Sequence, residues 1–275
     1  MKRYVDLHMH TTFSDGTSTP EQLLSMVRGS DLVAFSVTDH DTLDGYRAIR
    51  DLRADEDPEL VPGLELSVTV DSGDMHILAY LIEPENGRLA ETLSGFQQRR
   101  SERGRLMVDK LNALGIEVTY EDVEKHSGGG VVGRPHVARA MFDRKSTRYY
   151  EEAFERYIGY DGPAYVPKAN LTPDEAINLV HGAGGLAVLA HPAIDGKDKY
   201  VEMLVDLGLD GIEVYHPYHS QGLVDRYKHM ARRYRLVMTG GSDFHGANGR
   251  YAMIGTQKVP FEYLEQLKAT KEVRR

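Results

Sequence analysis

Residues 4–16 read Tyr-Val-Asp-Leu-His-Met-His-Thr-Thr-Phe-Ser-Asp-Gly. Tyr4 to Leu7 form the end of a short strand, and because a strand alternates its side chains, His8 and His10 emerge on one side with Met9 opposite. Asp15 follows on a polar loop whose Gly16 suits a turn, so a carboxylate can swing back toward the two imidazoles. Immediately downstream, Thr19-Pro20-Glu21-Gln22 supplies an N-cap, a proline at the first helical position and a glutamine placed to close a capping box, which predicts a helix to about Gly29. The apolar run Leu32 to Val37 is then a second strand, ending in Thr38-Asp39-His40-Asp41. Two strands joined by a helix at this spacing make a parallel βαβ unit.

The pattern continues along the chain. A helix is expected from Leu43 to about Arg53 and a third strand from Leu60 to Leu66, carrying Glu65. Val68-Thr69-Val70 and His76-Ile77-Leu78-Ala79-Tyr80 flank the turn sequence Asp71-Ser72-Gly73-Asp74, which predicts a hairpin and places His76 beside Glu65. From about Glu85 to Leu114 the pattern is helical, and the cluster Arg99, Arg100, Arg103 and Arg105 reads as a solvated helix face. Residues 95–165 break the alternation with short helices, the loop Gly128-Gly129-Gly130 and a tyrosine-rich stretch, and are read as a helical insertion lying over the mouth of a barrel formed by 1–94 and 166–275. The glycine loop lacks the Lys-Ser/Thr of a phosphate-binding P-loop. Alternation resumes at Thr172-Pro173-Asp174-Glu175. Strands follow at Leu186–Ala190, ending in His191-Pro192, at Gly211–Tyr215, followed by His216 and His219, and at Leu236–Thr239, running into Ser242-Asp243-Phe244-His245. About seven strands in largely alternating order favour a closed or nearly closed α/β barrel over an open sheet.

At or just past the carboxyl ends of these strands lie His8, His10, Asp15, His40, Glu65, His191, Asp243 and His245, joined by His76 from the hairpin. In an α/β barrel the loops after the strands share one face, so residues distant in sequence converge there. Imidazole and carboxylate without sulfur suit Zn, Mn or Fe rather than Mg or Ca. Nine such groups exceed the needs of one ion, and with a bridging carboxylate they suffice for two or three while leaving positions open. Clustered divalent ions generate hydroxide near neutral pH and neutralise the charge of a displacement at phosphorus.

Composition narrows the alternatives. With 275 residues the chain can bury a large core, and with no cysteine it can form neither a disulfide nor a zinc-thiolate site. A formal net charge of −9 argues against a broad nucleic-acid surface, although bound divalent cations would concentrate positive charge in one cleft. No apolar run approaches the roughly 18 residues of a membrane span, no signal peptide is apparent, and a cytoplasmic protein is expected.

The stretches Asp6-Leu7-His8-Met9-His10, Ser14-Asp15-Gly16, Thr38-Asp39-His40-Asp41, Gly63-Leu64-Glu65, His76-Ile77-Leu78, Ala190-His191-Pro192 and Ser242-Asp243-Phe244-His245 together resemble the PHP (polymerase and histidinol phosphatase) metal-dependent phosphoesterases. The resemblance implies a distorted (β/α)7 barrel with a trinuclear centre. By position, His8, His10, Glu65 and Asp243 would hold one ion, a bridging Glu65 with His76 and His191 a second, and Asp15, His40 and His245 a third. Manganese is the first expectation, iron or zinc the alternatives. Within the family the chain is similar to a stand-alone bacterial subgroup of 3′,5′-nucleotide bisphosphate phosphatases, 5′-to-3′ exonucleases of short oligonucleotides and cyclic nucleotide phosphodiesterases. Hydrolysis of the 3′-phosphate of a nucleotide bisphosphate, or trimming of a short oligonucleotide, is therefore expected, with a cyclic phosphodiesterase, a histidinol-phosphatase-like enzyme or a non-catalytic metal-dependent nucleotide-binding module as alternatives. An amide hydrolase on a similar barrel fits less well, because Glu65 stands where those enzymes commonly carry a modified lysine.

For substrate contacts, Arg134 at a helix start could clamp a second phosphate bidentately beside His136. His219 could donate to a phosphate or protonate a leaving oxygen alongside Asp243 and His245 as catalytic residues, and Lys168 stands near the return of the insertion.

Overall fold

A computed structural model describes residues 2–71, 73–127, 132–167, 170–246 and 253–274. Strand β1 (Tyr4–Asp6) leads through α1 (Pro20–Arg28) to β2 (Leu32–Phe35), and α2 (Asp44–Leu52) leads to β3 (Glu59–Leu60). The capping box expected before α1 is present: Thr19 Oγ1 accepts the Gln22 N–H at 3.4 Å and Gln22 Oε1 accepts the Thr19 N–H at 2.9 Å. The third strand and the first arm of the expected hairpin prove to be one element, β4 (Gly63–Val70), paired antiparallel with β5 (Gly73–Tyr80). Their register sets Glu65 opposite Leu78 and Ser67 opposite His76, so Glu65 and His76 are diagonal neighbours on one face.

Three helices follow, α3 (Gly87–Ala113), α4 (Tyr120–Ser127) and α5 (Arg134–Asp143), then a π-helical turn over Phe154–Ile158. The chain returns through α6 (Pro173–Gly182), β6 (Leu186–Leu189), a 3₁₀ stretch Ile194–Tyr200, α7 (Val201–Asp206), β7 (Gly211–Tyr215), α8 (Gln221–Tyr234) and β8 (Val237–Gly240), and ends with β9 (Val259–Pro260) and α9 (Glu262–Arg274). Helix α6 opens on the second capping box expected, Thr172 with Glu175.

The class is α/β, but the ladders form two sheets rather than one closed sheet. One has the order β3-β2-β1-β9 and the other β4-β5-β6-β7-β8. Two strands depart from parallel order, β5 against its neighbours β4 and β6 and β9 against β1. Among the described residues, isolated parallel bridges rather than a ladder join the sheets, Met9 with Phe244 and His40 with Glu65, together with the Leu7 N–H donating to the Gly240 carbonyl at 3.2 Å. The backbone turns sharply beside those bridges, and Asp41 (φ 54°) and Asp243 (φ 49°) occupy the left-handed region, which costs a non-glycine residue about 1–2 kcal/mol. A regular ladder cannot continue through such residues.

Apolar side chains fill both sides of the strands. Leu7, Leu78, Tyr80 and Val188 belong to one buried cluster with Leu264 and Leu267 of α9, while Leu66, Ile77, Leu189, Ile212 and Val214 pack with α3, α6, α7 and α8 in another. Burial on two faces explains why these strands read as near-continuous apolar runs. Helix α3 joins two cores: Leu89, Leu93 and Phe96 pack on the main one, whereas Met107, Val108 and Leu111 pack with Val123, Val137, Met141 and Ile158 in a separate cluster. Because α3 crosses the strand ends, its arginines are not a uniformly solvated face. Arg99 and Arg105 are exposed, but Arg103 is buried with its Nε donating to the Val166 carbonyl at 2.7 Å, and Arg100 donates to the Asp41 carboxylate and, at 2.7 Å, to Ser67 Oγ. No helix among the described residues is long and apolar enough to cross a membrane.

Helix α2 touches the loops it supports at Gly45. The buried Asp39 carboxylate accepts from Thr11 N and Oγ1, each at 2.7 Å, and from Ser14 Oγ at 2.6 Å, which holds the loop that carries Asp15. A Cβ on Gly45 would lie 1.9 Å from Asp39 Oδ2. Helix propensity favours alanine there by about 1 kcal/mol, whereas displacing a charged hydrogen-bond acceptor costs about 1.5–3 kcal/mol. Gly45→Ala is therefore expected to destabilise the metal-free protein by about 0.5–2 kcal/mol in urea unfolding, and a stabilised variant would contradict the packing argument.

Candidate metal centre

The two oxygens of Glu65 lie at the middle of the strand ends. Oε1 is 3.0 Å from His76 Nδ1 and 3.0 Å from His191 Nε2. Oε2 is 3.3 Å from both His8 Nε2 and His10 Nε2 and 3.2 Å from His40 Nδ1. Asp243 Oδ1 approaches the same two imidazoles from the other side, 3.3 Å from His8 Nε2 and 3.2 Å from His10 Nε2. Asp15 faces His245 Nε2 at 3.3 Å and His40 Nε2 at 3.7 Å. The nine residues singled out at strand ends and in the hairpin therefore converge.

The donor atoms fall into sets small enough to surround an ion: His10, Asp15, His40 and His245; His8, His10 and Asp243; His8, Glu65 and His191; and His40, Glu65 and His76. Glu65, His76 and His191 form a further triangle with edges of 3.0, 3.0 and 3.3 Å. These sets overlap the three groupings that the family resemblance implies and add His10 to the Asp15 group.

Two features of the chain itself fit a bound metal. His10 Nε2, Asp15 Oδ1 and His40 Nδ1 are buried and, although an oppositely chargeable atom stands 3.2–3.3 Å from each, none makes a well-directed hydrogen bond, an arrangement that suits atoms directed at a shared ion rather than at one another. The second feature is electrostatic. Burial pushes His8 and His10 down, but the facing carboxylates, Glu213, Asp243 and Glu65 for His8 and Asp243 with Glu65 for His10, overcome it, leaving His8 well above its ordinary value and His10 at about 10. Burial likewise raises Asp15, Glu65 and Asp243, and the opposing histidines bring all three well below the carboxylate range. His40 departs from the pattern, since burial drives it down to about 3 and keeps it a neutral ligand. In the metal-free protein, ring protons thus stand where cations would.

Beyond the donors lies a layer that sequence reasoning missed. Glu213 Oε1 is 3.0 Å from His8 Nδ1, and Glu213 Oε2 accepts the His191 N–H at 2.7 Å. His216 Nε2 is 3.2 Å from Asp243 Oδ2. Asp6 accepts from the N–H groups of Ser242 and Gly255, each at 2.9 Å, bracing the loop after β8. The available signal was a carboxylate in the middle of a buried strand, Gly211-Ile212-Glu213-Val214-Tyr215, where an unpaired charge is costly.

A cavity of about 400 Å³ opens beside the centre, lined by the donors Asp15, His40, His76 and His191 and by Arg100, Arg134 and Lys197. Arg134 stacks over Tyr160 at 4.6 Å and lies 3.7 Å from Asp74 Oδ2. His136 is buried and accepts the Gly133 N–H on Nδ1 at 3.1 Å, closing the first turn of α5. His219 is also buried; its Nδ1 donates to the Val214 carbonyl at 2.9 Å while Nε2 has no hydrogen-bond partner. Lys168 and Gly128 to Gly130 lie outside the described residues. Lys197, only 4% exposed, was not anticipated from sequence.

Comparison with known proteins gives this centre a family. The PHP domain matches residues 6–161, more than half the chain, a span that includes His8, His10, Asp15, His40, Glu65 and His76. The chain belongs to the PHP family. Similar proteins include the 5′-3′ exoribonuclease Rnm of Salmonella typhimurium, 32% identical over 87% of this chain and 84% of its own length, and the 3′,5′-nucleoside bisphosphate phosphatase of Chromobacterium violaceum, 30% identical over 90% of this chain and 89% of its own length. A solved structure from Bifidobacterium adolescentis, described as a metal-dependent phosphoesterase, superposes with a TM-score of 0.87 at 27% identity and covers 98% of this chain and 96% of its own. As a PHP protein with this donor cluster, the chain is a metal-dependent phosphoesterase, and the cluster is the place for divalent metal.

Metal uptake must displace the ring protons. In the metal-free protein, protonated His10 stabilises the fold fully below its ordinary value of 6.5, and this contribution is lost as pH rises through about 10. Calorimetric titration of the metal-free protein with Mn²⁺ near pH 7, in buffers of different ionisation enthalpy, should show net proton release and an affinity that falls as pH is lowered. An affinity independent of pH would contradict the protonation of the metal-free cluster.

Proposed function

We propose that the enzyme removes a phosphate from a small substrate carrying a second phosphate, the 3′-phosphate of a 3′,5′-nucleoside bisphosphate being the best fit. The observation that carries this reading is that one cavity is lined both by metal donors and by the cations of Arg100, Arg134 and Lys197. Two to three divalent ions, manganese first and iron or zinc as alternatives, would be held by His8, His10, Glu65 and Asp243, by Glu65, His76 and His191, and by Asp15, His40 and His245. Such ions supply hydroxide near neutral pH and offset the charge gathering on phosphorus. Water adds to phosphorus, the ester P–O bond breaks, and the nucleoside hydroxyl leaves with a proton.

The protein's own groups do the positioning. Arg134, held by the Tyr160 ring and close to Asp74, offers the planar fork that binds phosphate bidentately. Asp243 and His245 orient groups at the reacting end. The Nδ1–H of His219 is committed to Val214, so the neutral ring presents a lone pair at Nε2; burial lowers its pKa and favours that neutral form. Because Nε2 is buried and His219 does not line the cavity, this supports a role in holding the loop after β7 rather than contact with substrate. The placement of His136 supports a role in shaping the loop before Arg134. Residues 95–165 would act as a cap over the strand ends, since Arg134 and Tyr160 line the same cavity as His40, His76 and His191, and the two sheets, linked at Met9–Phe244 and His40–Glu65, would together make the distorted (β/α)7 barrel.

The second reading, trimming of short oligonucleotides from a 5′ end, draws on the Salmonella relative and uses the same cavity. A panel of adenosine 3′,5′-bisphosphate, short 5′-phosphorylated RNA, a cyclic nucleotide and histidinol phosphate, assayed with Mn²⁺, separates the readings; binding without turnover of any ester would instead indicate a nucleotide-binding module. His8→Ala and His10→Ala are each expected to lower turnover by at least about 100-fold while circular dichroism stays unchanged. Near-normal turnover by either variant would remove that residue from the centre. Arg134→Ala should raise KM for the bisphosphate by roughly 10- to 100-fold, the worth of a charge-assisted contact, and should change KM for a monophosphate little. Equal losses on both substrates would refute the second-phosphate contact.

A further inference from the structure

Strand β7 carries a carboxylate with no exposure to solvent. Ile212 and Val214 point into the apolar layer shared with the helices, so the alternation of the strand turns Glu213, between them, toward the centre. Glu213 spends its two oxygens on residues that come from different strands and belong to the ion-binding sets. Oε1 lies 3.0 Å from His8 Nδ1, across 205 residues of sequence, and Oε2 takes the backbone N–H of His191 at 2.7 Å.

Each contact settles something about a donor. An ionised carboxylate only accepts, so His8 must carry hydrogen on Nδ1, and Nε2 is then the atom presented to the space between Glu65 and Asp243, 3.3 Å from an oxygen of each. At His191 the contact acts on the main chain. That residue has a φ of 26°, a conformation that a side chain with a Cβ adopts only when its surroundings impose it, and the Glu213 bond is one such restraint. With its backbone held, His191 directs Nε2 to Glu65 Oε1 at 3.0 Å, and its ring stacks against that of His8 with centroids 5.8 Å apart.

We propose that Glu213 is the positioning residue of the centre, one carboxylate that selects the His8 tautomer and fixes the His191 backbone, so that it sets metal affinity for both histidines together without itself touching metal or substrate. The inference rests on the metal-centre reading above. Replacement by glutamine isolates it, because an amide of the same shape has one acceptor and one donor end; whichever way it turns, its NH₂ meets either His8 Nδ1–H or the His191 N–H, both of which are donors.

The experiment measures zinc bound by the full-length protein after dialysis against graded chelator, for wild type and Glu213→Gln, with circular dichroism of both metal-free forms. A folded variant that binds zinc about 10- to 100-fold more weakly, the usual cost of losing a partner that orients a ligand, supports the proposal, and a folded variant with wild-type affinity overturns it. A second measurement needs no altered Glu213: long-range ¹H–¹⁵N spectra of the zinc-loaded wild type, with the His8 ring assigned through His8→Gln. Hydrogen on Nδ1 with zinc on Nε2 is the expected result, and the reverse tautomer overturns the proposal even where Glu213→Gln fails to fold. Wild-type protein that takes up no zinc would overturn the centre itself, whereas zinc uptake unaffected by Glu213→Gln would remove only Glu213.

Discussion

Five imidazoles converge on the two oxygens of a single carboxylate, Glu65. Rings so close repel once protonated, and a fully buried carboxylate is costly when unpaired. Neither group is tolerable there alone. The arrangement depends on the register of β4 with β5, which brings His76 diagonally beside Glu65, and on the ends of β1, β2 and β6 reaching the same level. Sliding β5 by one residue would turn His76 to the opposite face. The hairpin register is thus as much a part of the site as the ligands.

Much of the site is legible in the amino-acid sequence because metal-ligand chemistry uses few residue types and barrel-like folds collect them at strand ends. His8, His10, His40, His191, Asp243 and His245 each follow an apolar run, and that placement marks them. The supporting layer is not legible, for a physical reason. Nothing local distinguishes Glu213 as the partner of His8, since the contact spans 205 residues and depends on which strand neighbours which. Arg100 is hidden for a similar reason: a basic cluster on a helix normally faces water, and only the passage of α3 across the strand ends turns Arg100 to Asp41 and Ser67 while Arg99 and Arg105 remain outside. The division into two sheets escapes a count of strands, because strand number does not reveal where left-handed residues interrupt a ladder.

Helix α3 has a double allegiance that matters for the reaction. Its first half is part of the main core and its second half belongs to the core of the helical segment, so Arg134 is carried on a rigid extension of the scaffold that holds Glu65. Arg100 strengthens the junction by binding Asp41, which immediately follows His40, and Ser67, two positions beyond Glu65. The cations of the helical segment and the donors of the strand ends are therefore tied to one framework, and both line the same cavity.

The two isolated bridges have a mechanical consequence. Among the described residues the backbone pairing between the sheets is short, at Met9 with Phe244 and at His40 with Glu65, and the donor sets straddle both places: His8 and His10 after β1 face Asp243 beyond β8, while His40 after β2 faces Glu65 on β4. Coordination bonds across these places would add rungs beside the amide bonds already there, His10 N–H to the Phe244 carbonyl at 2.8 Å and Asp41 N–H to the Glu65 carbonyl at 2.9 Å. An ion shared by donors from both sheets would therefore tie the two halves of the fold together, so that loading the site and stiffening it would be one event.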